Sequence, residues 1–173
     1  MCAICQFKVD FGVSHPQALA VAVATRRAIE QGVLPPGEPE GALARARLRI
    51  RAIEVLSEFQ ACIETVVPPA QWLRLPDFYV LLLETDTWGF FHPTPEGFDP
   101  DVVPDPPNLT AEDEGERSIV LIAAESTVKM MADGRLDAEG ALAQGLLAVD
   151  APTCWSEPMT ELLRQVFAKT VSV

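Results

Sequence analysis

The side chains best suited to chemistry in this chain are its cysteines and histidines, four and two of them in 173 residues. Cys2 and Cys5 form a C-x-x-C pair, whereas Cys62, Cys154, His15 and His92 stand singly. Tetrahedral zinc needs four nitrogen or sulfur ligands, and no second pair completes the set. A thioredoxin-like dithiol belongs at a helix start after a strand, whereas this pair opens the chain. Cys2 and Cys5 therefore read first as small apolar residues at the start of a strand. A Cys-dependent enzyme or metal protein using them is the alternative. A hydrolase triad needs a histidine beside a nucleophile and an oriented carboxylate. No G-x-S-x-G, dinucleotide-binding glycine pattern or Walker loop is present. His15 reads as a first-turn helix residue and His92 as a strand-end residue before Pro93. Carboxylates are plentiful, but no spacing marks two of them as acid and base. These residues assign no catalytic group, no metal and no cofactor.

Two other groups of residues are candidates for binding. Arg45, Arg47, Arg49 and Arg51 lie within two helical turns and form the dense basic cluster of an acidic chain. Their stems can cover apolar surface while their heads pair with nearby acids. They can equally meet a protein partner or a second copy of the chain. Trp88 and Phe90, in the aromatic-rich part of the chain, are mostly core by their spacing, but with Met130 and Leu162 they are candidates to line an apolar ligand cavity.

The formal net charge of −12 argues against binding nucleic acid or an anionic membrane nonspecifically and favours basic partners. No apolar stretch reaches the ~18 residues of a membrane span, so no membrane insertion is expected. The first residues lack the basic start and long apolar run of an export signal, so reduced cysteines in a cytoplasm are expected.

The elements that must position these residues follow from periodicity. Cys5, Phe7, Val9 and Phe11 alternate with polar residues, as in a half-buried strand ended by Gly12. Ser14 is placed to cap a helix beginning at His15-Pro16, with Leu19, Ala22, Val23 and Ile29 inward and Gly32 closing it. A longer helix is expected over 40–66, where Leu43, Ala46, Ile50, Ile53, Leu56, Phe59, Ile63 and Val66 step by three or four. Residues 78–84 and 88–92 read as a hairpin around Thr85-Asp86-Thr87. From 93 to 117 prolines interleave with acids. Such a segment has little to bury and reads as a long, extended, acidic loop dispensable for folding. It lacks the D-x-D-x-D-G spacing of a calcium loop.

Residues 118–167 are the best-organised stretch. Ser118 to Ala123 is a β-branched run that reads as a buried strand. Ser126 or Thr127 can cap a helix stopped at Asp133-Gly134, and a second short helix ends at Gly145. Leu146 to Val149 is a second strand. Ser156 can cap a last helix with Glu157 and Pro158 in its first turn and Leu162, Leu163, Val166 and Phe167 on one face.

That order resembles the C-terminal half of the sterol-carrier-protein-2 family. Gly134, Leu136, Ala141, Gly145, Leu147 and Val149 take the places of the family's small and apolar segment. Asp150-Ala151-Pro152 departs from the family's glycine-acid turn, and its N-terminal half has no clear counterpart. The resemblance implies a terminal helix closing an apolar cavity and hence a lipid carrier. Met1-Cys2-Ala3-Ile4 is also similar to the opening of N-terminal-cysteine amidotransferases, although their long glutaminase domain is missing.

The expectation is a single α+β domain over 1–173: a small mixed sheet with helices on one face and a helical N-terminal half. The leading functional expectation is a non-enzymatic, cytoplasmic accessory or regulatory protein that binds a protein partner. A carrier of an apolar small molecule is the rival.

Overall fold

The computed structural model describes residues 14–36 and 42–168, so the expected strand at Cys5–Phe11 and the Cys2/Cys5 pair lie outside the described residues. The fold is α+β. Its strands are β1 (Phe78–Leu82), β2 (Thr87–Phe91), β3 (Pro93–Thr94), β4 (Gly97–Phe98), β5 (Val120–Ala123) and β6 (Leu147–Asp150). Its helices are α1 (Ala18–Glu30), α2 (Ala42–Val66), α3 (Pro69–Trp72), α4 (Glu125–Ala132), α5 (Ala138–Ala143) and α6 (Thr153–Val166).

The main sheet runs β2-β1-β5-β6. The β1–β2 hairpin is antiparallel with Leu82 opposite Thr87, and Asp86 takes a positive φ of 49° in its turn. Aspartate tolerates that left-handed conformation better than most residues. β1 and β5 are parallel, with Tyr79 opposite Val120 and Leu82 opposite Ala123, and β6 returns antiparallel to β5. β1 and β5 are buried along their whole length, which explains why they read as continuous apolar runs rather than alternations.

Successive side chains point to opposite faces. Phe78, Val80, Leu82, Phe91, Leu121 and Ala123 face the main core, built with α2, α4, α5 and α6. Tyr79, Leu81, Trp88, Val120 and Ile122 face the other side, where Val21 of α1 packs. Gly89 belongs to the first face, where an added Cβ would lie 3.0 Å from Leu56, so its lack of a side chain lets α2 approach β2.

α1 presents Val21, Thr25 and Ala28 inward, while Leu19 is 75% exposed and Val23 is also exposed. The expected inner face was rotated because this helix is alanine- and valine-rich on all sides, so spacing alone cannot select a stripe. α4 starts at Glu125 and α6 at Thr153, each earlier than the expected caps at Ser126, Thr127 and Ser156. The true partners are distant carboxylates. Glu84 Oε2 accepts the Glu125 N–H at 2.7 Å, and Glu114 Oε1 accepts the Thr153 N–H at 2.8 Å. Pro158 consequently lies inside α6 rather than in its first turn. Gly134 and Gly145 stop α4 and α5 with φ of 69° and 68°, as expected of left-handed terminators.

The 93–117 segment is more ordered than its composition suggests. β3 and β4 pair within it, and Phe98 is buried with its ring 5.0 Å from Trp72 and 5.1 Å from Phe91. Glu64 Oε1 of α2 accepts the Phe98 N–H at 3.1 Å. Farther on, Tyr79 donates its hydroxyl to the Asp105 carbonyl at 2.8 Å, and Leu109 packs on the second face. Phe98→Ala should cost about 3 kcal/mol in a denaturant melt, as for other large core aromatics. Replacing exposed Val103 by serine should change stability by no more than about 0.5 kcal/mol. Equal, small effects would mean that the segment is a dispensable loop.

Candidate functional site

A parallel pair of strands ends both members at the same edge of a sheet. Here Leu83-Glu84 leaves β1 beside Ala124-Glu125, which leaves β5. Crevices outside the carboxyl ends of parallel strands are recurrent ligand sites. At this edge lies an open cleft of about 820 Å³. α1 contributes Ala22, Thr25, Arg26 and Ile29, α2 contributes Arg51, Glu54, Val55 and Glu58, and α4 contributes Ser126, Lys129 and Met130.

The defining side chain is Glu125, the first residue of α4, which is 1% exposed. Arg51 Nε donates to its Oε2 at 3.2 Å and Thr85 Oγ1 donates to its Oε1 at 3.2 Å. Thr87 Oγ1 in turn donates to Thr85 Oγ1 at 2.7 Å. One carboxylate thus ties together α2, α4 and the β1–β2 turn. Burial, and then the nearby Glu84 charge, push the Glu125 carboxyl above its ordinary value, while Arg51 and Thr85 pull the other way. One turn farther along α4, Lys129 donates to Glu58 at 2.8 Å and pairs with Asp133 at 3.0 Å. The Thr25 hydroxyl is buried without a hydrogen-bond partner among the described residues.

The residues singled out from sequence fall in different places. Arg51 lines the cleft, Arg47 is exposed, and the side chains of Arg45 and Arg49 lie outside the described residues. Trp88 and Phe90 lie on the α1 face of the sheet, Met130 and Leu162 on the main-core face. The sheet separates the two pairs, so the four do not line one cavity; Met130 alone of them lines the cleft. Cys62 is half-buried and Cys154 exposed. Burial, and then the Glu58 charge, raise the Cys62 thiol, opposite to what a reactive cysteine needs. Among the described residues no three histidine, cysteine or acidic side chains converge as metal ligands.

Both histidines pair with carboxylates. His15 lies in the buried turn before α1 and not in the helix itself. Its Nδ1 accepts the Gln17 N–H at 3.1 Å, which places the ring proton on Nε2, 3.0 Å from Asp150 Oδ2. Burial lowers its pKa against the pull of Asp150, which favours the neutral ring; Nε2 lies close to Asp150 Oδ2 but has no well-aligned hydrogen-bond partner among the described residues. His92 contacts Asp77 at 2.8 Å just after β2. Among the described residues neither imidazole is hydrogen-bonded to a hydroxyl or thiol.

Glu84, Glu125 and Thr25 were not identified from sequence. An acid directly after each of two apolar strand runs was the available signal, but their meeting depends on the parallel pairing. The chain matches no family model, no curated protein and no solved structure. No helix among the described residues is long and apolar enough to cross a membrane.

Because the Glu125 carboxyl sits above its ordinary value, the folded chain holds this proton more tightly than the unfolded chain. Its contribution to stability is complete at acidic pH and is lost as pH rises through the raised value. Glu125→Gln removes that titration. The melting temperature of the wild type relative to Glu125→Gln should therefore rise as pH falls from about 8 to about 4. A constant difference would contradict the assignment.

Proposed function

We propose that this is a binding protein that works through the cleft at the β1–β5 edge, taking a small amphiphilic ligand. The observation that carries the reading is a buried carboxylate, Glu125, at the wall of a cleft whose lining combines charged side chains with the apolar Ile29, Pro35, Pro36, Val55, Leu83 and Met130. Its volume of about 820 Å³ suits a small molecule, and pockets of this kind combine apolar walls with a few placed polar groups. Binding is favoured over turnover because both Glu125 oxygens are already engaged by Arg51 and Thr85. A partner-protein face built on the arginine row is less favoured, since Arg51 is turned to Glu125. The order β5, α4, α5, β6, α6 resembles that of the C-terminal half of sterol-carrier-protein-2 chains, and this resemblance supports a carrier role. The ligand site here is an open cleft at the sheet edge rather than a closed apolar cavity.

The test uses a neutral probe. On titration with 1-hexanol, amide and methyl resonances of Ala22, Ile29, Val55 and Met130 should shift together and saturably. Ala22→Trp, at an exposed residue of the cleft lining, should abolish the shifts of Ile29, Val55 and Met130 while the protein still melts cooperatively. Shifts elsewhere, or none, would overturn the cleft as the binding site.

A further inference from the structure

We infer that the polar end of the ligand is an organic cation, a protonated amine or guanidinium, received by Glu84. This deepens the cleft reading and rests on it. The first observation is an imbalance in how the cleft's charges are satisfied. Each cation lining it already faces a carboxylate of the protein. Arg26 pairs with Glu30 at 2.8 Å, Arg51 with Glu125 at 3.2 Å, Lys129 with Glu58 at 2.8 Å and Arg135 with Asp133 at 2.8 Å. An anionic ligand would have to displace one of these internal carboxylates.

The acids are not equally satisfied. Glu84 uses one oxygen to accept the Glu125 N–H, and among the described residues it pairs with no cation. Glu54, also on the cleft wall, has no cation partner among the described residues either. Glu84 moreover lies close enough to Glu125 to raise its pKa. A cation at Glu84 relieves that repulsion, an interaction that a neutral ligand cannot make.

The second observation is independent of these acids. Thr25 lines the cleft and is only 9% exposed, yet its hydroxyl has no hydrogen-bond partner among the described residues. A buried hydroxyl left unpaired is costly. It can accept from the N–H of an ammonium or guanidinium, which carries donors in several directions. A divalent metal fits less well, because no three metal-ligating side chains converge among the described residues. The apolar walls would hold an alkyl or aryl body behind the charge, and the net charge of −12 would draw such cations toward the protein.

The experiment compares hexylamine, hexanoate and 1-hexanol by NMR titration at moderate salt, reading Leu83, Glu84, Ala124 and Ile29. Hexylamine should bind about tenfold tighter than 1-hexanol, the gain expected of a charge-assisted contact. Glu84→Gln should remove most of that preference, bringing hexylamine affinity close to that of 1-hexanol. Glu96→Gln, an exposed acid outside the cleft, should leave the preference intact. If 1-hexanol or hexanoate binds the cleft as tightly as hexylamine, the cation assignment falls and the cleft reading stands. If Glu96→Gln costs as much as Glu84→Gln, the preference is general charge attraction and the assignment also falls. If no probe shifts the cleft residues, both readings fall.

Discussion

The parallel pairing of β1 with β5 is the constraint from which the rest of the molecule follows. Four registered residue pairs join strands that are buried throughout. Parallel neighbours cannot be joined by a tight turn, so the chain must travel from one end of the sheet to the other between them. Such crossovers are usually helical. Here the chain first adds β2 and the β3–β4 hairpin and then returns as the proline-rich acidic segment. That segment lies over the face bearing Tyr79, Trp88 and Phe90, next to α1, and helps bury what a crossover helix would otherwise cover. The same pairing brings Glu84 and Glu125 out side by side. The cleft is thus a consequence of topology before it is a collection of side chains.

The excess of acidic residues has a structural use that composition alone did not suggest. Glu84 satisfies the first N–H of α4, Glu114 that of α6, and Glu64 that of Phe98. Thr153 also donates its hydroxyl to Glu114 at 2.6 Å, and these bonds hold the Glu114 carboxyl below its ordinary value. Each of these carboxylates joins segments far apart in sequence. Helix N-termini favour negative charge, so such contacts serve both as hydrogen bonds and as dipole complements.

What could be read from the chain was local. The β-branched run ending at Ala123, the hairpin around Asp86 and the long helix ending at Val66 all announced themselves through propensity and period. The glycines at 134 and 145 marked true helix ends because a left-handed residue was required there. What could not be read depended on contacts across the fold. Ser126 and Ser156 looked like caps because serine is a good local cap, but remote carboxylates reached those helix ends instead. Phe98 looked like part of an extended acidic loop because its burial depends on Trp72 and Phe91. Trp88 and Met130 looked like neighbours in a cavity until strand parity placed them on opposite faces. Glu125 resembled any other acid until β1 and α2 enclosed it.

The account turns on a Glu125 carboxyl that is enclosed at the cleft and repelled by Glu84. Its titration is measured most directly by following the side-chain carboxyl carbon of Glu125 by NMR in protein labelled with carbon-13. The account predicts a midpoint above that of the exposed glutamates in the same protein, and a lower midpoint in Glu84→Gln, where the neighbouring charge is gone. A midpoint equal to or below those of the exposed glutamates, unmoved by Glu84→Gln, would contradict it.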